Sequence, residues 1–323
     1  MILSKNTELG EFDVIGTQPH IQKVWAEIEK SLPKYWAKFV AAQPAAAAAK
    51  LASHFGGAKH PPNNSSAALQ AFATAVEKFE RAAPKYRDFF DPDAMEEFSD
   101  SPTSFKSHLA KEIPVIAGTL NQRRPELQEW QHDFRRAKAN DLLTVFSNIM
   151  DFKEDWAATK SEAVFSKFDS REEFGLDELD TDETMTLSSV IGMGIKSIVL
   201  FHLDPRIFPQ RARTDLYGLY FLSGMQDFGL ASKSSEFLMI NDREPASNGS
   251  LIMEHNFWYP YGLFSAYAIR IFRWLDEQVR ALGGALDTKV RYVYVSHFLA
   301  AVCAEHAEHM KVMRAHDRFG NPS

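Results

Sequence analysis

Apolar residues recur at three- and four-residue steps along most of this chain, the spacing of amphipathic helices. Val24, Trp25, Ile28, Leu32, Trp36 and Phe39 form the first such stripe. Pro33 lies inside it and lacks the N–H that an interior helical turn requires, so the stripe predicts two helices meeting there. Ala45 to Ala49, leading to Leu51 and Phe55, predicts a short helix from the high helix propensity of alanine. Gly56 to Ser66 combines glycines, prolines and polar turn-formers and predicts a loop. Ser65 or Ser66 then caps a helix carrying Leu69, Phe72, Ala73, Val76, Phe79 and Ala83. Ser101-Pro102 opens another helix. From Pro125 to Phe168 the pattern stays helical through Leu127, Trp130, Phe134, Leu142, Phe146, Ile149, Trp156 and Phe165.

Further on, a helix is predicted from Arg213 to Leu222. Residues 229–256 are irregular, and Phe237-Leu238-Met239-Ile240 predicts a short strand. Pro260 starts a long helix with Phe264, Tyr267, Ile271, Leu275 and Val279, ended by Gly283-Gly284. Asp287 or Thr288 caps the last helix, carrying Val290, Val293, Tyr294, Phe298, Ala301 and Val302. The chain therefore reads as an all-α, multi-helix globular protein with a short irregular or β insert. An N-terminal helical region over 1–55 and a main helical domain over 67–323 flank the loop at 56–66.

Composition supports a folded core, with 45% hydrophobic residues and 25 phenylalanines among 323 residues. The net charge of −7 is concentrated: residues 169–183 hold eight acids and one base, and the remainder is close to neutral. That segment predicts a solvated acidic loop, and the balance gives no general basic face for nucleic acid. One cysteine, Cys303, excludes intrachain disulfides and cysteine-rich metal or iron–sulfur sites. No signal-peptide pattern and no apolar run long enough to span a membrane is present, so a cytoplasmic protein with no membrane partner is expected.

One segment carries specific chemistry. Leu187-Ser188-Ser189-Val190-Ile191-Gly192-Met193-Gly194-Ile195-Lys196 reads as a helix, a tight glycine hairpin and a second helix opening with a lysine. A helix starting beyond such a turn offers free N–H groups and a partial positive charge to a phosphate, and Lys196 adds a full charge. The stretch from Val190 to Lys196 resembles the hairpin of helix-hairpin-helix DNA glycosylases, although Ile191 stands where that family usually has proline. The resemblance covers residues 187–215. It implies that Lys196 attacks the sugar as a Schiff-base nucleophile and that Asp215, nineteen positions later, is its catalytic partner. DNA is then the expected partner and no cofactor is needed. Gly192, Gly194, Arg206, Arg211 and Arg213 would contact phosphate, and Phe208, Tyr217 and Trp258 would stack on an exposed base.

Two other readings remain open. Gly192 and Gly194 can simply shape a helix–helix turn, with Lys196 in solvent and Asp215 at a helix start, in a non-catalytic binding or scaffold protein. Alternatively, Glu305, His306, His309 and His316 on the last helix have the chemistry to bind a divalent metal, although their spacing is not that of the metalloprotease motif.

Overall fold

The structure, a computed structural model, describes residues 13–42, 64–241 and 252–310. The expected alanine-run helix, most of the loop at 56–66, and His316 lie outside the described residues. The fold is all-α with a single two-stranded sheet among the described residues.

Helix α1 spans Gln18–Ala41 without a break. Pro33 lies on its exposed side, while Val24, Ile28, Leu32, Tyr35 and Phe39 bury one continuous face across it. The expected division into two helices is thus overridden: burial on both sides of the proline outweighs one lost backbone hydrogen bond. Helix α2, Asn64–Phe89, likewise contains a proline, Pro84. Ser65 and Ser66 lie within its first turn rather than before it.

Helices α3 (Pro92–Ser99), α4 (Pro102–Glu112) and α5 (Pro114–Asn121) each begin on the proline that the sequence places there. Helices α6 (Gln128–Arg136) and α7 (Ala139–Thr159) follow. The acidic segment is not a solvated loop. Beyond α8 (Glu162–Phe165) it folds into α9 (Arg171–Phe174) and α10 (Glu178–Thr181), because Phe174, Leu176 and Leu179 are buried and draw the backbone in. Its acids remain outward or paired. The Arg171 side chain donates to Asp177 at 2.7 Å, and Arg270 donates to Asp169 at 2.7 Å.

Helix α11 runs Met193–Leu203 and α12 runs Arg213–Leu222. Strand β1, Leu238–Asn241, pairs antiparallel with β2, Ile252–His255, so the predicted strand exists. Helix α13 spans Tyr261–Ala281, and Gly283 beyond its end takes φ +81°, as the paired glycines predict. Asp287 accepts from the Lys289 N–H at 2.9 Å at the entry to α14, Arg291–Glu305.

One hydrophobic cluster runs from Ile15 to Met310 and includes α1. A buried polar group ties α1 to the sheet region: His20 bonds Glu236, whose other carboxylate oxygen accepts from Tyr259 Oη at 2.5 Å. Among the described residues no helix is long and apolar enough to cross a membrane.

Candidate functional site

The segment before the glycines is a tight hairpin rather than a helix. The Ile191 N–H donates to the Leu187 carbonyl at 2.8 Å, and the Leu187 N–H returns to the Ile191 carbonyl at 3.2 Å. Ser189, not a glycine, takes the left-handed conformation at φ +63°. Helix α6 pins this hairpin from the side. Trp130 Nε1 donates to the Val190 carbonyl at 2.8 Å, and the Ser189 hydroxyl donates to Asp133 at 2.6 Å.

The glycines do a different job from the one their spacing predicts. Gly192 is the N-cap of α11 in an extended conformation, and Gly194 lies in the first turn. Neither has a positive φ. A Cβ placed on either would meet nothing within 4 Å, so no packing in the protein demands glycine at these positions. What they leave is a bare backbone at a helix N-terminus.

Beside them lies a groove of about 580 Å³. Glu129, Trp130 and Asp133 of α6 line one side and Leu179 and Asp180 of α10 another. The hairpin and the start of α11 supply residues 186–196, and Phe257 and Trp258 close the rim ahead of α13. Trp258 is 52% exposed, so one stacking residue read from the sequence does face an open space.

Lys196 lines this groove and is only 2% exposed. It is therefore not a solvated first-turn residue. Its Nζ donates to the Leu179 carbonyl and, at 3.0 Å, to Thr186 Oγ1. Burial disfavours the charged form and lowers its pKa to about 8. Asp180 and Asp182 oppose that shift, and Arg211 adds to it. Asp180 opens into the groove, yet the surrounding protein still raises its carboxyl above the ordinary range, against the attraction of Arg211. One Asp180 oxygen accepts the Tyr261 N–H at 2.6 Å.

Asp215 stands apart. It is 1% exposed, at the first turn of α12. Oδ2 accepts from the Ala212 N–H at 3.0 Å and Gln210 Nε2 at 3.3 Å, and Oδ1 accepts from Ser296 at 2.8 Å. Burial lifts its pKa to about 7 in spite of these bonds. It is not among the groove residues, and the carboxylates acting on Lys196 are Asp180 and Asp182.

The arginines divide. Arg211 is 3% exposed, and its guanidinium donates to the Asn256 and Phe257 carbonyls at 3.4 and 2.9 Å. It holds the aromatic rim from behind and has no path to an external phosphate. Arg213 pairs with Glu254 at 3.8 Å and lies over the Tyr217 ring. Arg206 pairs with Asp204 at 3.1 Å and is partly exposed. Phe208 and Tyr217 are wholly buried in the core, so neither can stack on a base.

The described members of the C-terminal group, Glu305, His306 and His309, make contacts within the fold. His306 accepts or donates one bond with Tyr35 Oη at 2.6 Å and stacks on Phe221 with centroids 4.0 Å apart. Glu305 pairs with Lys38 at 2.7 Å, and His309 lies edge-on to Phe221. Among the described residues no cluster of three histidine, cysteine or acidic side chains could hold a metal ion.

Sequence reasoning missed Asp180 and the α6 wall. Asp180 is one acid among eight in a charged run, and the signal that its turn packs against the core is the neighbouring pair Leu176 and Leu179 at a three-residue step. No known protein family, curated protein or solved structure gives a match to this chain.

Proposed function

We propose that Lys196 is an amine nucleophile acting on a carbonyl carbon in the groove, and that its substrate is the ring-opened sugar of an abasic site in DNA. The observation that carries this reading is a lysine with pKa near 8 in the lining of an aromatic-rimmed groove. At pH 7.4 roughly a fifth of such a side chain is neutral, against about a thousandth of an ordinary lysine. Only the neutral amine attacks.

Two features support DNA as the source of that carbonyl. The segment from Leu187 to Asp215 resembles the hairpin region of helix-hairpin-helix glycosylases. The open backbone at Gly192 and Gly194 leaves the N-terminus of α11 accessible to a phosphate. Glu129, Asp133 and Asp180 repel a polyanion from the rest of the groove, so a phosphate is confined to the glycine end. Trp258 is placed to stack on a flat ring, and Asp215 contributes by fixing the start of α12.

The test is borohydride reduction of the protein on a duplex carrying one abasic site, with Lys196→Ala alongside. A covalent adduct lost in the variant is the expected result. No adduct, together with no binding at low salt, would remove DNA as the substrate.

A second reading has its own observation. Lys196 joins α11 to Leu179 and Thr186, and Asp215 joins α12 to α14, as in a scaffold whose buried polar groups serve only to lock helices. In that case Lys196→Met lowers stability, because the Leu179 carbonyl loses its donor, and changes no binding or reaction.

A further inference from the structure

We infer that Asp180 is the carboxylate that works with Lys196, moving the protons of imine formation within the groove. The inference rests on the reading of Lys196 as the nucleophile and assigns it a partner other than Asp215.

The geometry sets the two carboxylates apart. Lys196 Nζ is tied to the carbonyl of Leu179, the residue immediately before Asp180, so the amine head is held against the turn that carries this acid. Both residues line the groove. The Tyr261 N–H, at the start of α13, takes one Asp180 oxygen at 2.6 Å and fixes the orientation of the group. Asp215 lies elsewhere, with both oxygens engaged by Ala212, Gln210 and Ser296. The other acids of the groove, Glu129 and Asp133, come from α6, and Asp133 is occupied by the Ser189 hydroxyl.

The charged groups around the pair are few. Asp180 and Asp182 on one side and Arg211 on the other act on Lys196. Arg211, Lys196 and Asp177 act on Asp180. Of the carboxylates acting on Lys196, Asp180 opposes most strongly the effect of burial, which pushes the lysine towards neutrality. Protein packed around its own carboxyl raises its pKa and favours the protonated form over that of an ordinary aspartate, as an acid in imine formation requires.

The chemistry balances without a further reactant. The neutral Lys196 amine adds to the aldehyde carbon and forms a carbinolamine. Asp180 in its acid form gives a proton to the carbinolamine hydroxyl, which leaves as water while the C–N bond becomes a protonated imine. The resulting carboxylate then takes the proton from the carbon next to the imine. The electron pair released expels the neighbouring phosphate oxygen, and the strand is cut.

The experiment compares wild type with Asp180→Asn, which keeps an oxygen for the Tyr261 N–H, and with Asp180→Glu, which keeps the charge. In the first arm, formaldehyde and cyanoborohydride label Lys196 between pH 6 and 10, read by peptide mass spectrometry. Asp180→Asn should move the labelling midpoint to lower pH by about one unit, because Arg211 is then less opposed. Asp180→Glu should leave it in place. In the second arm, abasic duplex is the substrate. In Asp180→Asn, both trapping and strand scission should slow, and scission should fall about a hundredfold relative to trapping.

An unchanged midpoint and an unchanged ratio of scission to trapping overturn the inference. So does a shift of equal size in Asp180→Glu. If wild type forms no adduct with DNA yet the midpoint moves in Asp180→Asn alone, the DNA reading fails and the coupling of Asp180 to Lys196 stands. If Asp180→Asn does not fold, Asp180→Ser decides: a fall of scission relative to trapping with the midpoint moved to lower pH supports the inference, and an unaltered ratio with an unmoved midpoint overturns it.

Discussion

At the scale of single residues, the contrast between Gly194 and Lys196 shows how much spacing alone conveys. The order glycine, glycine, lysine was legible, and the structure sets the three residues along one groove. The reasons behind it were not. The turn is made by Ser189, and the glycines stand at a helix start where a side chain would meet nothing. Gly194→Ala should therefore keep or raise the melting temperature, since glycine in a helix costs up to about 1 kcal/mol relative to alanine. If the bare backbone serves a phosphate, the same substitution lowers trapping on abasic DNA. A stable Gly194→Ala with undiminished trapping would mean that the glycines do not bind substrate. Burial was the other hidden property. Phe208, Tyr217 and Arg211 look like ligand-facing groups in a sequence, because aromatic and arginine side chains serve cores and sites alike. Only the packing of α11, α12 and the loop between them decides which.

At the scale of elements, most helices were legible because their apolar faces repeat at helical steps, and prolines and glycines mark their ends. The exceptions have clear causes. Pro33 was expected to divide α1, but the two halves share one buried face. The acidic segment was expected to be loop, but three buried apolar residues among its charges fold it into short helices. A tight helix contact also escaped notice. Gly218 on α12 faces Leu299 on α14, and a Cβ there would lie 2.8 Å from the Leu299 Cβ and 3.1 Å from its Cα. Gly218→Ala must push two helices apart, because backbone cannot yield as a flexible side-chain tip does. A loss of about 1–3 kcal/mol in denaturant unfolding is expected. A variant as stable as wild type would show that α12 and α14 have slack at this contact.

At the scale of the whole molecule, the buried ionisable groups make stability depend on pH in opposite directions. Asp215 has its folded pKa raised to about 7, so between about pH 4 and 7 the folded state holds a proton that the unfolded state has released. Its contribution to stability is present at low pH and declines as pH rises through that window. Asp215→Asn should accordingly show a flatter fall in stability from pH 5 to 7 than wild type, and parallel curves would contradict it. Lys196 has the reverse sign. Its folded pKa is lowered to about 8, so its contribution is lost as pH falls from 10.5 towards 8. These effects could not be read from a net charge of −7, which counts charges without locating them in the core.

The account turns on the state of one amine, and the most direct measurement is the pH profile of Lys196 labelling by formaldehyde and cyanoborohydride in the folded wild-type protein. Labelling at Lys196 with a midpoint near pH 8, about two units below the exposed lysines, is the predicted result. Lys196 that stays unlabelled until the protein unfolds would contradict it and leave the lysine as a structural tie between α11 and the acidic segment.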